Sequence, residues 1–145
     1  MGKHDELESH VTVQPDKSRV YKLHKVTEEH FDIYKKEVEA MIDLLGLHNV
    51  TIFFQFCKDK EFRASCSYTA DHRATFALST IWFSDRLPSK ADIQKVARHE
   101  VAHCLIGRIH LMAMQRDLNN DELSNELEAY ANRLEHAFTT LLDAM

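Results

Sequence analysis

The chain has 145 residues, 44% of them hydrophobic and 28% charged, which fits one globular domain able to bury a core without staples. Its 3 glycines and 2 prolines exclude a turn-dense sandwich, a collagen-like repeat and a flexible linker protein. The net charge of −5 and the scattered basic residues argue against a nucleic-acid partner, which would ask for a dense basic stripe.

Charge is distributed unevenly. Residues 51–116 carry 10 basic and 6 acidic side chains, whereas residues 117–145 carry 1 and 7. No apolar run approaches the ~20 residues that span a bilayer, and the start of the chain does not read as a secretory leader. The expectation is a cytoplasmic protein without a membrane partner. Cys57, Cys66 and Cys104 are odd in number and lack paired spacing, so they read as reduced and mostly buried thiols.

In chain order, residues 1–26 read as a polar N-terminal arm, with a short extended piece at 20–26. Residues 27–145 then form the single domain. Thr27 is placed as the N-cap of a helix on which Phe31, Tyr34, Val38, Met41, Ile42 and Leu45 recur at helical spacing. Gly46 ends it in a left-handed residue. Three strands follow by alternation: Ile52, Phe54 and Phe56; then Phe62, Ala64, Cys66 and Tyr68; then Ala74, Phe76 and Leu78. Phe53 is read with Phe54 and Phe56 as strand core. The Ala70-Asp71-His72-Arg73 link is short enough to make the second and third strands a hairpin.

Ser89, after Pro88, caps a long helix, with Asp92 placed to suit the dipole of its first turn. This helix reaches at least Gly107, and its pattern extends towards Met114. Residues 117–121 form a polar loop and cap. A last helix carries Leu123, Leu127, Ala131, Leu134, Phe138 and Leu141 on one face. The fold class is α+β, with helices on a small antiparallel sheet.

Chemistry concentrates in His99-Glu100-Val101-Ala102-His103, an H-E-x-x-H pattern. Residues four apart share a helix face, so both imidazoles can reach one tetrahedral metal ion. Glu100 is turned about 100° from His99 and lies beside such an ion, where it can take a proton from a water and deliver it to a leaving amine. Zinc requires neutral imidazoles, so its affinity is expected to fall as pH drops through roughly 6.5.

A catalytic zinc usually has a third protein ligand. His110 is about 10 Å along the helix from His103 and cannot close the same shell. Glu126 and Glu128 on the last helix are the better candidates, and amphipathicity alone does not choose between them. A calcium loop at Asp117, Asn119, Asp121 and Glu128 is disfavoured, because its sixth position is Glu122 rather than glycine. Tyr68, His72, Tyr130, Arg133 and His136 are the candidates for stabilising an oxyanion.

With these residues the chain resembles a minimal gluzincin, a zinc peptidase with H-E-x-x-H on one helix and a glutamate ligand on the next. Glu128-Ala-Tyr-Ala-Asn132 is similar to the family's E-x-x-x-D pattern and to the E-A-N stretch of ImmA/IrrE-type peptidases, and the chain also resembles compact phage and bacterial zincins with an arginine-leucine-glutamate tail. The resemblance covers about residues 50–138. It implies a zincin-like fold, a Zn2+ cofactor, Glu128 as third ligand and Asn132 as the residue supporting a ligand imidazole. An edge strand is implied to line the cleft, and residues 74–79, through Ala74, Phe76 and Leu78, are expected to take the peptide by strand addition. The expected function is hydrolysis of a peptide or protein substrate, with Glu100 as general base and acid. The alternative is a zincin-fold module that holds metal without turnover.

Overall fold

In the computed structural model, which describes residues 19–114 and 120–145, the elements run in a fixed order. They are β1 (Lys22–Lys25), α1 (Glu28–Leu45), β2 (Thr51–Cys57), β3 (Ala64–Tyr68), β4 (Arg73–Ser79), β5 (Ile81–Ser84), α2 (Lys90–Met114) and α3 (Asn120–Ala144). Residues 1–18 of the expected 1–26 arm, and the Asp117 and Asn119 positions, lie outside the described residues.

Local chemistry sets the helix ends. The Thr27 hydroxyl accepts from the backbone N–H of His30, whose ring accepts in turn from the Thr27 N–H, a reciprocal cap on α1. Gly46 terminates α1 at φ 68°, and the Leu47 N–H reaches back to the Ile42 carbonyl. At α2 the Asp92 N–H donates to the Ser89 hydroxyl while the Ser89 N–H donates to the Asp92 carboxylate. Arg86 clamps that same carboxylate through two nitrogens at 2.7 and 3.0 Å, fixing the approach of the chain to the helix.

The sheet is mixed rather than antiparallel. Its order is β2-β4-β3, with β4 parallel to β2 and antiparallel to β3. The hairpin expected between β3 and β4 forms, with the Thr69 N–H bonded to the Arg73 carbonyl. The chain leaving β2 crosses to the far side before β3 begins, so β4 returns between the two and runs with β2. Alternation reports which face of a strand is buried, and it carries no strand order; this is why the parallel pair escaped the sequence. A second, two-stranded sheet joins β1 to β5 antiparallel. β5 had no counterpart among the expected strands, because a single residue, Thr80, separates it from β4.

One face of the three-stranded sheet meets the helices. Ala64, Cys66, Tyr68, Ala74, Phe76 and Leu78 are buried there against Tyr34, Val38 and Met41 of α1 and Ile93, Ala97 and Val101 of α2. Val26 belongs to this core, at 2% exposure, so the ordered fold already includes the end of the expected arm. Phe54 and Phe56 pack with Phe31, but Phe53 points the other way and is 46% exposed. On α3, Leu127 and Ala131 are buried as expected, whereas Leu141 is exposed and Leu142 packs in its place. The result is an α+β fold with a mixed sheet packed against helices, broadly zincin-like in topology. No helix among the described residues is long and apolar enough to cross a membrane.

Candidate metal centre

Ala97 and Val101 face the sheet, so the helical period turns His99 and His103 towards α3. The two helices run antiparallel: α3 meets His103 and His99 at Glu128, and meets Arg98 at Thr139 and Asp143. Arg98 fastens this arrangement. Its side chain, 11% exposed, donates from Nε to Glu37 of α1 at 2.8 Å and from a terminal nitrogen to the Thr139 hydroxyl at 3.3 Å. One cation thus joins α1, α2 and α3, directly before the first histidine of the motif.

The ligand atoms converge. His99 Nε2 lies 3.0 Å from one Glu128 oxygen, His103 Nε2 lies 2.8 Å from the other, and the two Nε2 atoms are 3.2 Å apart. Ligands held 2.0–2.1 Å from a tetrahedral ion stand ~3.3 Å from one another, and the 3.2 Å between the two Nε2 atoms is close to that spacing. Two imidazoles and a carboxylate are also a donor set that zinc accepts. The residues present fit the ion. Among the described residues this is the one group of His, Cys, Asp and Glu side chains gathered closely enough to hold a metal.

Electrostatics within the cluster are strong. Burial works against a charge on His99, but the Glu128 and Glu135 carboxylates, with Glu100, outweigh it and push the imidazole up to about 10. Burial likewise works against a charged Glu128, but the hydrogen bonds from His103 and His99 prevail and hold its carboxyl at about 2. The three side chains therefore interact as an imidazolium–carboxylate network, and a cation entering it must displace a proton.

Glu135 is the group that sequence reasoning missed. Its Oε1 stands 3.5 Å behind His99 Nδ1, at ion-pair distance rather than in a hydrogen bond, with the side chain 14% exposed. Seven residues separate it from Glu128, two turns of one helix face. Asn132, expected in this supporting place, is exposed instead. Four residues give one turn plus 40°, which turns Asn132 outward, whereas seven residues return to within 20° of Glu128. The i+7 spacing was the available signal.

Glu100 is fully buried beside His99. Its carboxylate acts on the Tyr34 hydroxyl and the Cys66 thiol, and burial first, then that charge, raises the Tyr34 hydroxyl well above its ordinary range. His110 is also buried but stands apart from the three-ligand cluster; burial and the neighbouring His103 lower its imidazole below the usual value. The Glu126 side chain lies outside the described residues.

The remaining candidates sit on β3, in the β3–β4 turn and on α3. Tyr68 is buried at the end of β3 and its hydroxyl is bonded to His72 Nδ1 at 2.9 Å. Tyr130 is 48% exposed with Arg133 over its ring, and His136 is exposed. Residues 74–79 do not offer the edge expected of them. β4 is the central strand, bonded on both sides, so Ala74, Phe76 and Leu78 have no outer backbone edge for a peptide. The edge that packs over α2 is β3: a Cβ on Gly107 of α2 would lie 2.7 Å from Tyr68 Cγ.

No protein-family model, no curated protein and no solved structure matches this chain. Its chemistry is read from the site alone.

Proposed function

We propose that the chain is a zinc-dependent peptidase. The observation that carries this reading is the convergence of His99, His103 and Glu128 on one point, with Glu100 next to His99 on the same helix. Zinc held there would supply a Lewis acid that lowers the pKa of a water towards ~7. Glu100 takes the proton of that attacking water and passes it to the departing amine, so one carboxylate serves as base and then acid. Its burial keeps the group out of bulk water, which strengthens its interactions at the reacting centre. Glu135 fixes the orientation of His99.

A substrate would lie extended along β3. The Arg63 carbonyl and the Thr69 N–H bond across to β4, so by alternation Ala64, Cys66 and Tyr68 turn their backbone groups to the outer side of the strand. Strand addition there would lay a peptide alongside α2, against which β3 packs.

One observation favours the second reading, a metal-holding module without turnover: Glu100 is 0% exposed, and a base must reach its water. Zinc-loaded protein assayed against a mixed fluorogenic peptide library, beside Glu100→Gln, separates the two. Cleavage by the native chain that disappears in a zinc-retaining Glu100→Gln supports the peptidase. Absence of cleavage in both, with zinc bound, supports the module.

A further inference from the structure

Behind the metal centre, β3 and α2 bring two cysteines together. Cys66 sits on the inward face of β3 at 1% exposure and Cys104 on the sheet-facing side of α2 at 3%. Both belong to the same packed core, and each side chain acts on the other's thiol. Tyr68 and Gly107, two and three residues further on, mark how tightly the two elements are pressed, since a Cβ at Gly107 would fall 2.7 Å from the Tyr68 ring. The third cysteine, Cys57, is exposed at the end of β2, with the central strand β4 between it and β3.

We propose that Cys66 and Cys104 are a reversible disulfide site that ties the edge strand β3 to the metal-site helix, one residue beyond His103. Neighbouring side chains from two packed elements are what a disulfide needs, since its Cβ atoms must approach to about 3.5–4.5 Å. The oxidant is a peroxide. One thiol attacks the peroxide oxygen and becomes a sulfenic acid, releasing water or an alcohol as the O–O bond breaks. The second thiol then attacks that sulfur, forming the S–S bond and releasing water. Two thiols are oxidised by two electrons and one peroxide is reduced. Because both sulfurs are buried, the peroxide enters when β3 lifts from α2, and the cross-link then holds the strand down.

This inference does not depend on peptidase activity, and its test needs none. The native chain and Cys57→Ser, both zinc-loaded, are treated with hydrogen peroxide, then digested without reduction and mapped by mass spectrometry. The expected result in both is a monomer about 2 Da lighter, with the Cys66 and Cys104 peptides linked and separated again by dithiothreitol. In Cys66→Ser the link is absent and Cys104 instead carries added oxygen. Cys66 and Cys104 that both remain open to alkylation in the unfolded, peroxide-treated native chain, after Cys57 has been fully oxidised, would overturn the proposal. So would oxidation confined to dimers linked through Cys57.

Discussion

His99 Nε2 and His103 Nε2 are 3.2 Å apart, and Glu128 reaches both, one oxygen to each ring. The carboxylate shared by the two rings, or a cation shared by them, favours this spacing. Glu128→Ala is therefore expected to weaken zinc binding at least tenfold, whereas Glu126→Ala binds nearly as the native chain does. Competition with a chromophoric chelator measures both. Loss of affinity in Glu126→Ala alone would assign the third ligand wrongly.

Glu135 stands behind His99, its Oε1 3.5 Å from Nδ1. Outer carboxylates of this kind fix ring orientation and raise ligand basicity, and their removal typically weakens metal binding by 10–100-fold. Glu135→Ala should fall in that range, while Asn132→Ala, at an exposed position, leaves affinity unchanged. Equal affinities in the native chain and Glu135→Ala would make the 3.5 Å approach incidental.

The pH dependence follows from the shifted groups. A free imidazole at 6.5 is already neutral at pH 8, but His99, raised to about 10, still carries a proton there. Zinc uptake at pH 8 should release that proton, and affinity should keep climbing from pH 7 to 9, above the window near 6.5 expected of isolated histidines. Calorimetry in two buffers of different ionisation enthalpy reads the proton directly; no release at pH 8 contradicts the network. The same shifts set the stability of chelator-treated protein. His99, raised in the fold, contributes fully below pH 6.5 and loses that contribution as pH rises towards 10. Glu128, lowered in the fold, contributes above 4.5 and loses it as pH falls towards 2. Stability from this pair is greatest between those limits.

Much of the fold was legible because local rules govern it. Thr27, Gly46 and Ser89 sit where capping chemistry places them, and the apolar stripe of α1 is buried at Tyr34, Val38, Met41 and Ile42. The two histidines were legible for the same reason, since a four-residue helical spacing is local. What the sequence hid is long-range. Nothing in the alternation of Ala74, Phe76 and Leu78 tells a central strand from an edge, because both bury one face. Nothing in Arg98 or Glu37 announces that they meet at 2.8 Å across 61 residues. Glu135 stands two turns from Glu128, a local spacing, whereas the four-residue family pattern points to Asn132.

Gly107 tests the contact between β3 and α2. Alanine there gains about 1 kcal/mol in helix propensity. Its Cβ, however, would stand 2.7 Å from Tyr68 Cγ and 3.0 Å from Tyr68 Cβ, the root of the side chain rather than its flexible end. The ring cannot swing aside without breaking its bond to His72. Overpacking of this kind costs about 1–3 kcal/mol, so Gly107→Ala should lower Tm despite the better helix former. An unchanged or raised Tm would show that β3 yields easily.

Zinc content tests the central claim most directly. Native chain expressed with zinc available, purified without chelator and analysed by inductively coupled plasma mass spectrometry should carry about one zinc per chain, and His103→Ala markedly less. A native chain that contains no zinc, and takes up none when it is supplied, would contradict the account.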